Sequence, residues 1–102
     1  MKIKTIDINA KEWFDKVNGN SYFSAVITLN YGMKDTKTIN TPFQYGYGDY
    51  YVDEAKATLT QHNYISPVHM QPLWRYCEEN NIIIRTNKQE GCKKKDVVNF
   101  VS

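Results

Sequence analysis

Residues 21–30 alternate strictly. Phe23, Ala25, Ile27 and Leu29 fall on one side of an extended chain, and Tyr22, Ser24, Val26 and Thr28 on the other. A period of two specifies a strand, and a slip of one residue would turn the apolar set out to solvent. The first set is the better core face. Just before this run stands Asn18-Gly19. It is the strongest short hairpin signal, because the favoured two-residue turn needs positive φ at both central positions. The dipeptide predicts a two-residue turn that pairs residues 10–17 with residues 20–29. It also decides the ambiguous stretch 10–17 for strand rather than helical turn.

The remaining elements follow from breakers and caps. Ile3, Ile6 and Ile8 open a first strand, and Gly32 and Asp35 punctuate a turn over 31–37. A strand over 38–44 contains Pro42, which suits an edge position. Asp49 is placed to cap a helix over 50–62, with Asp53 and Glu54 in its first turns, where carboxylates suit the positive dipole end. Val52, Ala55 and Leu59 share one face of that helix, with Tyr51 adjoining. Residues 63–71 form a connector. Pro67 and Pro72 cannot both lie inside one helix, so a short helix is expected over 72–79, ended by Asn80-Asn81 in the left-handed conformation. Ile82, Ile83 and Ile84 read as a buried strand, residues 87–96 as a polar loop, and residues 97–101 as a last strand. The predicted order is β-β-β-β-α-α-β-β. It describes a small α+β single domain, mainly antiparallel sheet, with one longer and one short helix packed on one face.

The 102 residues suffice for one domain with a modest core. Eight tyrosines, four phenylalanines and two tryptophans can close such a core with few side chains. A net charge of +2 does not by itself imply a nucleic-acid or membrane partner. Residues 83–102 are locally basic, chiefly through Lys93, Lys94 and Lys95, whereas residues 38–82 are acidic on balance. The first eight residues have no apolar core of signal length, and no run reaches the roughly 18–20 residues of a membrane span. The expectation is a cytoplasmic protein whose Cys77 and Cys92 are unpaired, Cys77 buried and Cys92 accessible.

No catalytic constellation is legible. His62, His69, Cys77 and Cys92 are the soft ligands, and their separations match no zinc pattern, so neither metal nor cofactor is expected. Ser21, Ser24 and Ser66 have no nucleophile elbow around them. The pairs Asp53/Glu54 and Glu78/Glu79 read as solvated helix-end carboxylates, because adjacent helical residues project in different directions.

The distinctive segment is 42–51, with four tyrosines and two glycines at a strand-to-helix junction. It serves either as a tight turn with tyrosines packed over the sheet, or as an exposed recognition surface. On the second reading Tyr45, Tyr47 and Tyr50 are the contact residues, and Tyr51 faces the core beside Ala55. Three lysines at 93–95 fall short of the about five to eight of a convincing basic patch.

The segments Trp13-Phe14-Asp15-Lys16-Val17-Asn18-Gly19-Asn20-Ser21-Tyr22 and Pro42-Phe43-Gln44-Tyr45-Gly46-Tyr47-Gly48-Asp49 resemble a group of small uncharacterised proteins of bacteriophages and related mobile elements. The resemblance spans roughly residues 10–60 and implies a phage-like origin in a host bacterium's cytoplasm, without an activity to carry over. Double-stranded-RNA-binding domains are similar in architecture, but they grip phosphates with lysines at the start of the helix. Here that stretch carries Asp49, Asp53 and Glu54, so the activity does not transfer. The expectation is a non-enzymatic binding protein, a phage-type accessory factor engaging a host or phage macromolecule, foremost a protein. Inhibition of a host defence is one such role. The alternative is a nucleic-acid-binding protein that stacks bases on its tyrosines and contacts phosphates with Lys93, Lys94 and Lys95.

Overall fold

The alternation of residues 21–30 appears intact in the computed structural model, which describes residues 1–66 and 71–101. Phe23, Ala25, Ile27 and Leu29 are all buried on one face of strand β2 (Asn20–Leu29). Strand β1 (Thr5–Asp15) pairs antiparallel with it, setting Ile6 opposite Leu29, Ile8 opposite Ile27 and Ala10 opposite Ala25. Each such pair lies on the same face, so the two apolar sets merge into one floor. The stretches 3–8 and 10–17, read separately in the sequence, thus contribute to one strand over 5–15, in which Asn9 pairs with Val26.

The other described elements are β3 (Lys37–Tyr45), α1 (Tyr50–Gln61), α2 (Leu73–Glu79), β4 (Ile83–Gln89) and α3 (Lys94–Phe100). The sheet order is β3-β2-β1-β4, antiparallel except for the parallel β1–β4 pair. This is an α+β architecture. Pro42 does lie on an edge strand. It also sits at an irregularity, because Phe23 faces Gln44 while Ala25 faces Thr41, giving β3 one extra residue. That bulge breaks the alternation of β3.

Helices α1 and α2 cover the apolar floor with Tyr51, Ala55, Leu59, Leu73 and Cys77. Each fully buried aliphatic side chain here contributes roughly 2 kcal/mol by leaving water. Both helices end on a left-handed asparagine. Asn63 has φ 61° and Asn81 has φ 56°. Beyond them Tyr64 N donates to Leu59 O at 2.9 Å and Ile82 N to Cys77 O at 2.8 Å, satisfying carbonyls the helix leaves free.

Other expectations need correction. Residues 97–101 are not a strand: 97–100 belong to α3 and Val101 caps its end, and α3 packs on the face opposite α1 and α2. Val97 is buried there, and its carbonyl accepts a 2.6 Å hydrogen bond from Ser24 Oγ. The Asp96 carboxylate accepts from Lys93 N at the helix start, and Val97, Phe100 and Val101 have the i, i+3, i+4 spacing of a helical stripe. Valine's strand preference yields to that packing. The isoleucine strand is not a buried one: β4 is an edge strand that reaches into the expected polar loop, and Ile83 is 61% exposed. Finally, the hairpin loop is longer than two residues. Asp15 pairs with Asn20, leaving 16–19 as the loop. Gly19 has positive φ, 71°, and donates to Asp15 O at 2.7 Å. The Asp15 carboxylate accepts from Val17 N at 3.0 Å and from Asn18 Nδ2 at 2.8 Å. This capped loop displaces the two-residue turn, and the Asn18 amide holds the Asp15 carboxyl below the usual carboxylate range.

The connector residues 67–70, including Pro67 and His69, lie outside the described residues. Among the described residues no helix is long and apolar enough to cross a membrane.

Candidate functional site

The β3–α1 junction is built by close approach. Gly46 is buried, and its N–H donates to Ser21 O at 3.0 Å. A Cβ on Gly46 would stand 2.6 Å from both Phe23 Cε1 and Tyr50 Cδ2, so glycine alone fits. Tyr50 then packs edge-on against Phe23 at 5.9 Å between ring centroids. On the other side of the turn, Tyr45 packs edge-on against Tyr22, also at 5.9 Å. Tyr45 and Tyr50 are thus anchored by the sheet while keeping free surface. Tyr47 is 69% exposed, Tyr45 55% and Tyr50 44%, whereas Tyr51 is 6% exposed in the core.

Together with Gly46, Asp49 and Asp53, the three exposed tyrosines line an open cleft of about 580 Å³. Asp49 holds the N-cap position of α1, as expected, but its side chain makes no capping hydrogen bond. The negative charge of Glu54 raises the Tyr50 pKa, with Asp53 adding to the effect.

An ion pair beneath the junction escaped the sequence reading. Lys88 Nζ lies 2.5 Å from Glu12 Oε2, with both side chains largely buried. The same ammonium donates to Gly48 O at 2.9 Å and lies 5.9 Å from the centre of the Tyr51 ring. Burial pulls the Lys88 pKa down, but the Glu12 carboxylate, with Glu90 at 3.6 Å, outweighs it, and the net shift is upward. Lys88 therefore ties β1, β4 and the glycine turn together. Its signal in the sequence was slight: one lysine in a polar run, far from Glu12 along the chain.

Lys93, Lys94 and Lys95 sit elsewhere. Lys93 and Lys94 line a separate depression of about 480 Å³ with Trp13 and the hairpin tip. Lys94 Nζ lies 5.6 Å from the centre of the Trp13 ring. The β3 bulge brings Phe43 to the α3 side of the sheet, where Trp13 stacks on Tyr22 at 5.5 Å and Tyr22 on Phe43 at 5.3 Å. Trp13 also lies 6.4 Å from Phe43, so the three rings form one cluster. The cleft lined by the junction tyrosines and the depression lined by Lys93 and Lys94 share no lining residue.

The remaining candidates are dispersed. His62 is exposed at the end of α1 and stacks on Tyr64. Both cysteines are free thiols. Cys77 faces the core, and burial pushes its pKa up to about 11. Cys92 is half-buried, its Sγ 3.4 Å from Gln89 O. Ser24 is committed to α3. Among the described residues no cluster of three or more metal-ligating side chains forms. Comparison of the chain with protein-family models, curated proteins and solved structures finds no match.

Proposed function

We propose that the protein is a non-enzymatic binding factor that engages a protein partner through the tyrosine cleft at the β3–α1 junction. The supporting observation is the set of three exposed tyrosines held around one open cleft by a turn that tolerates no side chain at Gly46. Tyrosine suits such a surface because its rigid ring buries much area at small entropic cost and its hydroxyl tolerates water. With the resemblance carried by residues 13–22 and 42–49, the reading is a phage-type accessory factor acting on a host or phage macromolecule, inhibition of a host defence being one such role. Nucleic acid is the weaker partner. Asp49 and Asp53 oppose phosphate at the cleft, and Lys93 and Lys94 line a different depression.

The test is capture from host lysate with and without nuclease, using wild-type protein and the Tyr47→Ala variant. Capture that survives nuclease and is lost in Tyr47→Ala supports the reading. Capture that vanishes with nuclease, or that ignores Tyr47→Ala, refutes it.

A further inference from the structure

The cleft's chemistry selects among protein partners. Three phenol rings and two carboxylates line it, and no basic side chain does so among the described residues. The Asp49 carboxylate is the informative one. An aspartate at an N-cap ordinarily accepts a hydrogen bond from a first-turn amide. Here it makes none, so the fold leaves that charge to the cavity it lines. Asp49 and Asp53 also border a second depression, of about 330 Å³, with Pro72, Leu73 and Trp74. The two carboxylates thus form an acidic wall between a tyrosine-lined cleft and one that carries a tryptophan. The helix N-terminus contributes about half a positive charge, which two carboxylates exceed.

We propose that this cleft receives a cationic side chain, arginine foremost, from a basic segment of the protein partner; the proposal rests on the binding role assigned to the cleft above. A guanidinium is planar, stacks on phenol rings and presents forked donors to a carboxylate, so it matches both kinds of wall at once. An ammonium meets the charge but not the stacking geometry.

The protein, labelled with nitrogen-15, would be titrated with a short glycine–serine peptide carrying arginines, and with matched lysine, glutamine and glutamate peptides. The expected result is amide shifts confined to residues 45–53 and to Leu73 and Trp74. Arginine should bind ahead of lysine, with no binding by glutamine or glutamate, and added salt should weaken the interaction. Replacing both carboxylates (Asp49→Asn, Asp53→Asn) should weaken arginine-peptide binding by about tenfold. Melting should fall only slightly: the helix N-terminus loses two favourable charges, but Asp49 makes no cap bond to lose. Shifts centred elsewhere, equal binding of the glutamine peptide, or indifference to the double substitution overturns the proposal. The two failures are separable. If the captured partner needs Tyr47 but not the carboxylates, the cation assignment falls and the surface stands. If it ignores Tyr47, the surface itself falls.

Discussion

Asn30 is fully buried and left-handed, with φ 51°, at the end of β2. Its side-chain oxygen accepts from Lys4 N at 2.7 Å and Thr5 N at 3.3 Å. Its amide donates to Lys2 O at 2.9 Å and to Asp35 Oδ2 at 3.2 Å. One residue thereby fixes the start of β1 and the turn before β3. Asn30→Ala should lower unfolding free energy by about 2–3 kcal/mol, since it strands buried backbone amides and alanine lacks the asparagine side chain's tolerance of positive φ. Urea denaturation measures this, and a loss below about 0.5 kcal/mol, the scatter of ordinary surface substitutions, would refute it. Cys77 offers a pH test. Its thiol titrates near 11 rather than at the ordinary 9.0, because burial disfavours the thiolate. Its contribution to stability is therefore intact below pH 9 and lost as pH rises toward 11, where the unfolded chain ionises first. Alkylation of native protein at pH 8 should modify Cys92 and spare Cys77; equal rates would contradict the burial of Cys77.

At the scale of elements, the Glu12–Lys88 pair joins two strands that meet only after the chain has passed through α1 and α2. Lys88→Met should destabilise the protein by about 3 kcal/mol, because Glu12 is left charged and largely buried. Adding Glu12→Gln should restore part of that loss, which a double-mutant cycle would measure. The pair's contribution is fully present below the ordinary lysine value of 10.5 and is lost as pH rises through the higher folded-state value. Helix α3 makes a second element-level prediction. Val97→Ala should cost about 2 kcal/mol by opening a cavity over Ser24. Carbon chemical shifts of residues 94–100 should be helical; strand-like shifts would return this segment to the form its valines suggest.

For the whole molecule, the junction tyrosines divide into two experimental classes. Tyr47→Ala and Tyr50→Ala should weaken partner binding by about 1–2 kcal/mol or more at nearly constant melting temperature for Tyr47, the most exposed. Tyr50 packs against Phe23, so its substitution should also cost some stability. Tyr51→Ala should lower stability by about 3 kcal/mol through lost core packing. If all of these substitutions unfold the protein and none selectively impairs binding, the junction is a packed turn and nothing more.

What the amino-acid order determines by itself is local. The period of two in residues 21–30 names the core face of β2, and the 3.6-residue period selects Ala55 and Leu59 in α1. Asn81 marks the end of α2, and the tyrosine content of residues 45–51 singles out the junction. Each of these signals acts within a few residues, where sterics and periodicity operate without help from the rest of the chain. The tertiary structure decided what depends on distant partners. Residues 94–100 became a helix because Ser24 and the second sheet face were there to receive Val97. The isoleucines of β4 came to an edge because β1 accepted it in parallel. Lys88 found Glu12, and Asp49 was left uncapped at the cleft, through contacts between segments that no local pattern relates. Burial and pairing are properties of neighbours in space, and at these positions they outweighed the preferences of neighbours in sequence.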